Sequence, residues 1–154
     1  MTSGCLSEIQ DGTSVFIDAN VFIYAYYKPN RQLSAKEKQM KELSKKIVSD
    51  VSNGKEDVLT TVVHLSEVIN ILKHRMAMEM LDTIVQGLFM LDNVKILGVS
   101  AEEYFAAIEL GKDLKLEAND ALAVDVMRQN DVGEILSFDE HFDGVEGILR
   151  LPVF

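Results

Sequence analysis

Ser14-Val15-Phe16-Ile17-Asp18-Ala19-Asn20 decides the fold. A short apolar run ends in a carboxylate just where the next apolar segment, Val21–Tyr27, reads as a helix. Continuous apolar runs of this length suit a strand buried on both faces of a parallel sheet. Lys28-Pro29-Asn30 stops the helix. Residues 34–53 read as a charged amphipathic helix with Met40, Leu43, Ile47 and Val51 on its inner stripe, closing at Asn53-Gly54. A second strand is expected at Val58–Val62, then helices over about 64–75 and 76–91, the latter apolar and Met-rich. Val94–Val99 reads as a third strand. Ser100 caps the next helix, with Glu103 in capping-box position, and that helix runs to about Leu114. Residues 117–130 form another helix, Glu134–Phe138 a fourth strand and Ile148–Leu151 a candidate fifth. This alternation predicts a three-layer α/β/α sandwich around a parallel sheet of four to five strands. No repeat or linker divides residues 1–154, so one domain is expected, with a loosely ordered tail over 1–13.

Composition narrows the function classes. Hydrophobic residues at 47% and charged residues at 26% are those of a soluble globular protein. The single cysteine, Cys5, excludes an internal disulfide framework and fits a reducing setting. The first eleven residues carry no signal-peptide run and no stretch is apolar enough to span a membrane, so a cytoplasmic location is expected. A net charge of −10 argues against binding nucleic acid through a basic surface alone. Yet residues 28–55 hold eight of the fifteen Lys and Arg with three acids, leaving seven bases against twenty-two acids elsewhere. Arg31, Lys36, Lys38, Lys41, Lys45 and Lys46 are candidate phosphate contacts, or equally the solvated face of a helix. Lys73 and Arg75 admit the same two readings.

Four acids carry the chemistry. Carboxyl ends of strands form the ligand crevice of open α/β sheets, and Asp18 and Asp139 both stand there. Each also suits a plain helix or turn cap. Asp120 shares a helical stripe with Leu116, Ala123, Val124 and Met127, where an unpaired charge is costly, while Asp125 falls on the opposite side. Its alternative is a first-turn acid favoured by the helix dipole, with Asn119 as N-cap. Glu67 lies beside Val63 and Ile71 and reads equally as a solvated helical acid. Converging carboxylates repel unless a divalent cation holds them, and hard oxygen donors without His or Cys suit magnesium or manganese. His64, His74 and His141 are scattered; only His141, two residues after Asp139, stands near the expected cleft.

Ile17-Asp18-Ala19-Asn20-Val21-Phe22-Ile23-Tyr24 resembles the opening motif of PIN domains. Leu65-Ser66-Glu67-Val68, Asn119-Asp120-Ala121-Leu122-Ala123-Val124 and Leu136-Ser137-Phe138-Asp139-Glu140-His141-Phe142 are similar to the family's later acidic motifs, in order, across roughly 14–151. The resemblance implies that Asp18, Glu67, Asp120 and Asp139 are the metal-binding, catalytic acids, with Asn20 as a polar helper or only a helix cap. It implies a Mg2+- or Mn2+-dependent ribonuclease, in its short form most like the VapC-type toxins. An antitoxin partner and a homodimer come with it; the Met76–Met90 segment is a candidate dimer surface or else core. The long, basic 28–55 segment departs from such toxins, as a clamp on RNA or a dimer element. Haloacid-dehalogenase-type phosphatases need a second Asp where Asn20 stands, and response-regulator receivers need adjacent acids and a late Lys that this chain lacks. A PIN fold kept as a binding module, or a stand-alone RNA-processing nuclease, remains as an alternative to the toxin. The binding module predicts that Asp18→Asn leaves function intact.

Overall fold

Val15–Ile17 forms strand β1, and all three side chains are buried. The computed structural model describes residues 14–152; Cys5 and the tail expected over 1–13 lie outside them. β2 (Val58–Thr61) and β4 (Glu134–Leu136) flank β1, and β3 (Val94–Leu97) and β5 (Leu149–Leu151) form the edges. Every pairing is parallel, in the order β3-β2-β1-β4-β5. The fifth strand is therefore present.

Successive strand residues point to opposite faces, so a buried sheet needs helices on both. Val15, Ile17, Val58 and Val94 face one apolar cluster, and Phe16, Leu59 and Ile135 face the other. The first cluster takes in α1 (Ala19–Tyr26), α2 (Ala35–Ser52), α3 (Val62–Leu72) and α4 (Met78–Phe89). The second is covered by α5 (Ala101–Leu114), α6 (Ala118–Gln129) and a 3-10 turn at Glu140–Gly144. This is the three-layer α/β/α arrangement. Among the described residues no helix is long and apolar enough to cross a membrane.

Local chemistry sets the boundaries. β2 stops at Thr61 because its hydroxyl accepts the Val63 and His64 amides at 3.1 and 3.2 Å and starts α3 at Val62, earlier than periodicity suggests. The α2 capping box forms between Ser34 and Glu37, and that of α5 between Ser100 and Glu103. The buried row of α2 is Met40, Ser44, Val48 and Val51, turned by one residue from the expected stripe. Leu43 and Ile47 sit half-buried at its flank, because the small Ser44 faces inward. α4 buries Leu81, Val85 and Leu88 and leaves Met78, Met80, Phe89 and the following Met90 exposed, so it is part core and part surface. The α5–α6 turn needs a glycine: a Cβ on Gly111 would lie 2.5 Å from the Leu116 carbonyl oxygen. That tight turn aims the first residues of α6 at the carboxyl edge of the sheet.

Candidate metal centre

β1 to β3 build outward in one direction and β4 and β5 in the other, so the topology switches between β1 and β4. Ligand crevices of open α/β sheets form at such a switch, beyond the strands' carboxyl ends. Asp18 follows β1 directly, and its amide donates to the Leu136 carbonyl at 3.0 Å, seating it beside the end of β4. Asp18 is 5% exposed. Oδ1 accepts the Ala19 amide at 2.8 Å and Oδ2 accepts the Ser137 hydroxyl at 2.7 Å. One side chain therefore caps α1 and stands at the strand's carboxyl end. Burial pushes its pKa up to about 6, the two hydrogen bonds hold it from rising further, and the Asp139 charge adds to the rise.

Ser137 is the joint of the site. Its oxygen also accepts the Asn20 side-chain amide at 3.2 Å and the Asp139 backbone amide at 3.0 Å. The Asn20 Oδ1 accepts the Phe138 amide at 3.3 Å, so Asn20 laces α1 to the chain beyond β4. Asn20 thus braces the acids' scaffold.

Asp120 lies half-buried in the first turn of α6, on a helix whose Ala123, Val124 and Met127 are buried and whose Leu116 neighbour is half-buried. Glu117, not Asn119, holds the N-cap position, because Asn119 is turned inward to other partners. Asp125, expected on the solvated side, is half-buried and accepts the Gln129 amide at 3.2 Å. The Asp120 and Asp139 side chains lie close enough to shift each other's pKa. Burial first, then the Asp18 and Asp139 charges, push the Asp120 pKa up to about 7. For Asp139 burial acts upward too, but the His141 amide and ring and the neighbouring Asp120 side chain outweigh it and hold its pKa below the usual value. Its Oδ1 accepts the His141 amide at 2.9 Å, and the exposed His141 Nδ1 lies 2.6 Å from the same oxygen.

Glu67 stands slightly apart. Half-buried on α3, its Oε1 accepts the Asn119 side-chain amide at 3.2 Å. It opens with Asp120 onto one hollow of about 270 Å³. With Asn20, Tyr24, Tyr27 and Arg31 it lines another of about 330 Å³ that leads toward the basic segment. The donor chemistry suits a hard divalent cation, because Asp18, Asp120, Asp139 and Glu67 offer only carboxylate oxygens. The arrangement is open: among the described residues no three His, Cys, Asp or Glu side chains are gathered into a finished cage.

The basic candidates are dispersed. Lys41 is spent inside the protein, its Nζ donating to the Tyr24, Ala25 and Tyr27 carbonyls at 3.1, 3.4 and 2.7 Å at the end of α1. Arg31 pairs with Glu37, Lys46 with Asp50 at 3.0 Å and Lys45 with Glu42 at 3.8 Å, whereas Lys36 and Lys38 are exposed. Arg75 lies 4.9 Å over the Tyr27 ring, and Lys73 is exposed. Ser137, His64, Asn119 and Tyr104, whose hydrogen bonds link the surroundings of the candidate acids, escape sequence reasoning in that role. His64 left one signal, its place in the inward row with Val68 and Leu72.

An open parallel α/β sheet between two helical layers defines the class of fold. The family model described as PIN domain matches residues 15–148. The chain belongs to the PIN domain family. Among solved structures it is similar to VapC20 of Mycobacterium tuberculosis, a sarcin-ricin loop cleaving toxin, at TM-score 0.61 and 20% identity over 87% of this chain and 98% of that one. It is also similar to Rickettsia felis VapBC2, solved bound to a DNA fragment from its promoter, at TM-score 0.58 and 13% identity over 89% and 96%. A toxin–antitoxin complex from Klebsiella pneumoniae matches at 0.53 and 15% over 88% and 95%. A search of curated protein sequences finds no match. The strand order also differs from the 2-1-3-4-5 order of receiver domains.

Proposed function

We propose that the chain is a divalent-metal-dependent endoribonuclease and the toxin of a toxin–antitoxin pair. The observation that supports the reading most is that Asp18, Asp120 and Asp139 lie near enough at the switch point for Asp139 to act on both of the others and for Asp18 to act on Asp120 through charge. Family membership and the likeness to VapC toxins support it. Asp18, Asp120 and Asp139, with Glu67 across the hollow, would hold magnesium or manganese. Such an ion lowers the pKa of bound water and offsets negative charge on a phosphodiester in the transition state. Asp18 is kept in place by Ala19 and Ser137, and Asp139 by His141 and Ser137, so these two acids are already oriented while an ion would still draw the open set together. Asn20 holds the Ser137 joint, and Lys36 and Lys38, with Arg31, Lys45 and Lys46 released from weak surface pairs, meet RNA phosphates. A cytoplasmic location, an antitoxin partner and a homodimer through the exposed methionines of α4 complete the proposal.

Purified protein incubated with mixed single-stranded and structured RNA tests it. Cleavage is expected with Mn2+ and absent with EDTA or in Asp120→Asn. Cutting that ignores EDTA, or an unimpaired Asp120→Asn enzyme, overturns the mechanism. RNA bound but uncut by the metal-loaded protein identifies the binding-module alternative. The dimer is tested by sedimentation; a monomer at micromolar concentration removes it.

A further inference from the structure

Glu67 and Asp120 come from opposite helical layers: α3 packs on one face of the sheet through Leu65, Val68 and Leu72, and α6 on the other through Leu122, Ala123 and Met127. A part-buried chain of hydrogen bonds runs between α3 and Asn119, the neighbour of Asp120. His64, 1% exposed in the first turn of α3, places Nε2 3.0 Å from the Asn119 carbonyl oxygen and Nδ1 2.7 Å from the Thr61 hydroxyl. A carbonyl oxygen only accepts, so Nε2 carries the hydrogen. The Thr61 oxygen already accepts the Val63 and His64 amides, which leaves its hydrogen to donate to Nδ1. Both bonds are satisfied by one neutral tautomer. The edge of the Phe16 ring, 5.0 Å between centroids at 78°, fixes the plane of the imidazole. Asn119 passes the connection on: its side-chain amide donates to Glu67, and its Oδ1 accepts the Tyr104 hydroxyl at 2.6 Å.

We propose that His64 is a positioning residue for the metal centre, its Nε2–H clasping the Asn119 carbonyl so that Asp120 and Glu67 are held at one spacing across the sheet edge. The proposal rests on the metal-centre reading above. A histidine that merely fills the core leaves metal affinity untouched by where a substitute's donor lies. Partners behind metal ligands commonly contribute about ten- to a hundredfold in affinity.

The test is Mn2+ titration of the full chain and two variants chosen for donor position. The Gln amide reaches where Nε2 stands, whereas the shorter Asn amide reaches only the Nδ1 position. His64→Gln is expected to bind Mn2+ within about threefold of the wild type and His64→Asn about tenfold more weakly. Thermal unfolding establishes that both are folded. Equal affinity of the folded Asn variant and the wild type, or a Gln variant as weak as the Asn variant, overturns the positioning role while the metal centre stands. A wild type that binds no Mn2+ removes the metal centre and the role together. Nitrogen shifts of the wild-type imidazole need no variant: the proposal requires the Nε2–H tautomer, and Nδ1–H or an imidazolium at neutral pH overturns it.

Discussion

At Asp120 burial and two neighbouring carboxylates work against the charged form that the proposed chemistry needs. The same carboxylate therefore costs stability when no cation is bound. Asp120→Asn is expected to slow RNA cleavage by about 100-fold or more. It should also raise the melting temperature of the metal-free protein near pH 8, because the amide drops the repulsion from Asp18 and Asp139. Loss of both activity and stability would instead mean that the carboxylate is structurally required. Ser137 answers differently, since its hydroxyl serves Asp18, Asn20 and Asp139 at once. Ser137→Ala is expected to destabilise the fold by about 1–3 kcal/mol, the cost of unsatisfied buried partners, measured by denaturant unfolding. Wild-type stability in that variant would show that the joint carries no weight. Ser137 was quoted within a motif yet not legible as a site residue, because a serine between apolar neighbours reveals its partner only when Asp18 is brought beside it.

At the scale of elements, the basic helix α2 divides into two kinds of lysine. Lys41 closes the carboxyl end of α1 by donating to three carbonyls, a favourable place for a cation. Lys41→Met is expected to lower stability by about 1–2 kcal/mol while leaving the salt dependence of RNA binding unchanged. Lys36→Ala with Lys38→Ala should do the reverse, leaving stability within about 0.5 kcal/mol and reducing the slope of log affinity against log salt by about 1 to 2. Fluorescence anisotropy over a salt series measures both, and an unchanged slope in the double variant removes these lysines from the RNA contact. The amphipathic length of α2 was legible in its charges. Its inward row was displaced by one residue, because a one-dimensional stripe weighs Leu43 and Ile47 above the Ser44 that the packing turns inward.

For the whole molecule the acids couple stability to pH and to metal. Asp18 and Asp120 have folded pKa values raised to about 6 and about 7, so the folded state holds these protons more tightly than the unfolded chain does. Their contribution is fully present below the unfolded pKa, near pH 4, and is lost as pH rises through about 6 to 7. His141, its pKa raised by the Asp139 carboxylate, acts in the same direction; His64, its pKa lowered by burial, acts oppositely. Metal-free protein is expected to lose melting temperature between about pH 5.5 and about pH 8, with a smaller loss in Asp120→Asn. Mn2+ should restore stability near pH 8 and much less near pH 5.5, where protons compete for the carboxylates. Calorimetry across that range checks it, and a metal effect independent of pH would place the ion away from these acids.

The amino-acid sequence by itself determined the alternation of strands and helices, the parallel sheet, and Asp18 and Asp139 at strand ends, because apolar periodicity and strand termini are local properties of the chain. Asp120 was legible for the same reason, as a carboxylate on an apolar helical stripe. Only the tertiary structure decided that β4 lies beside β1, that Ser137 holds Asp18 from 119 residues away, and that Asp120 meets Asp139. It also turned His64, scattered in the sequence, into the link between two helical layers, and Lys41 from a candidate phosphate contact into a helix cap. Those outcomes depend on which distant groups must satisfy one another once water is excluded, and burial creates that requirement only when the layers close.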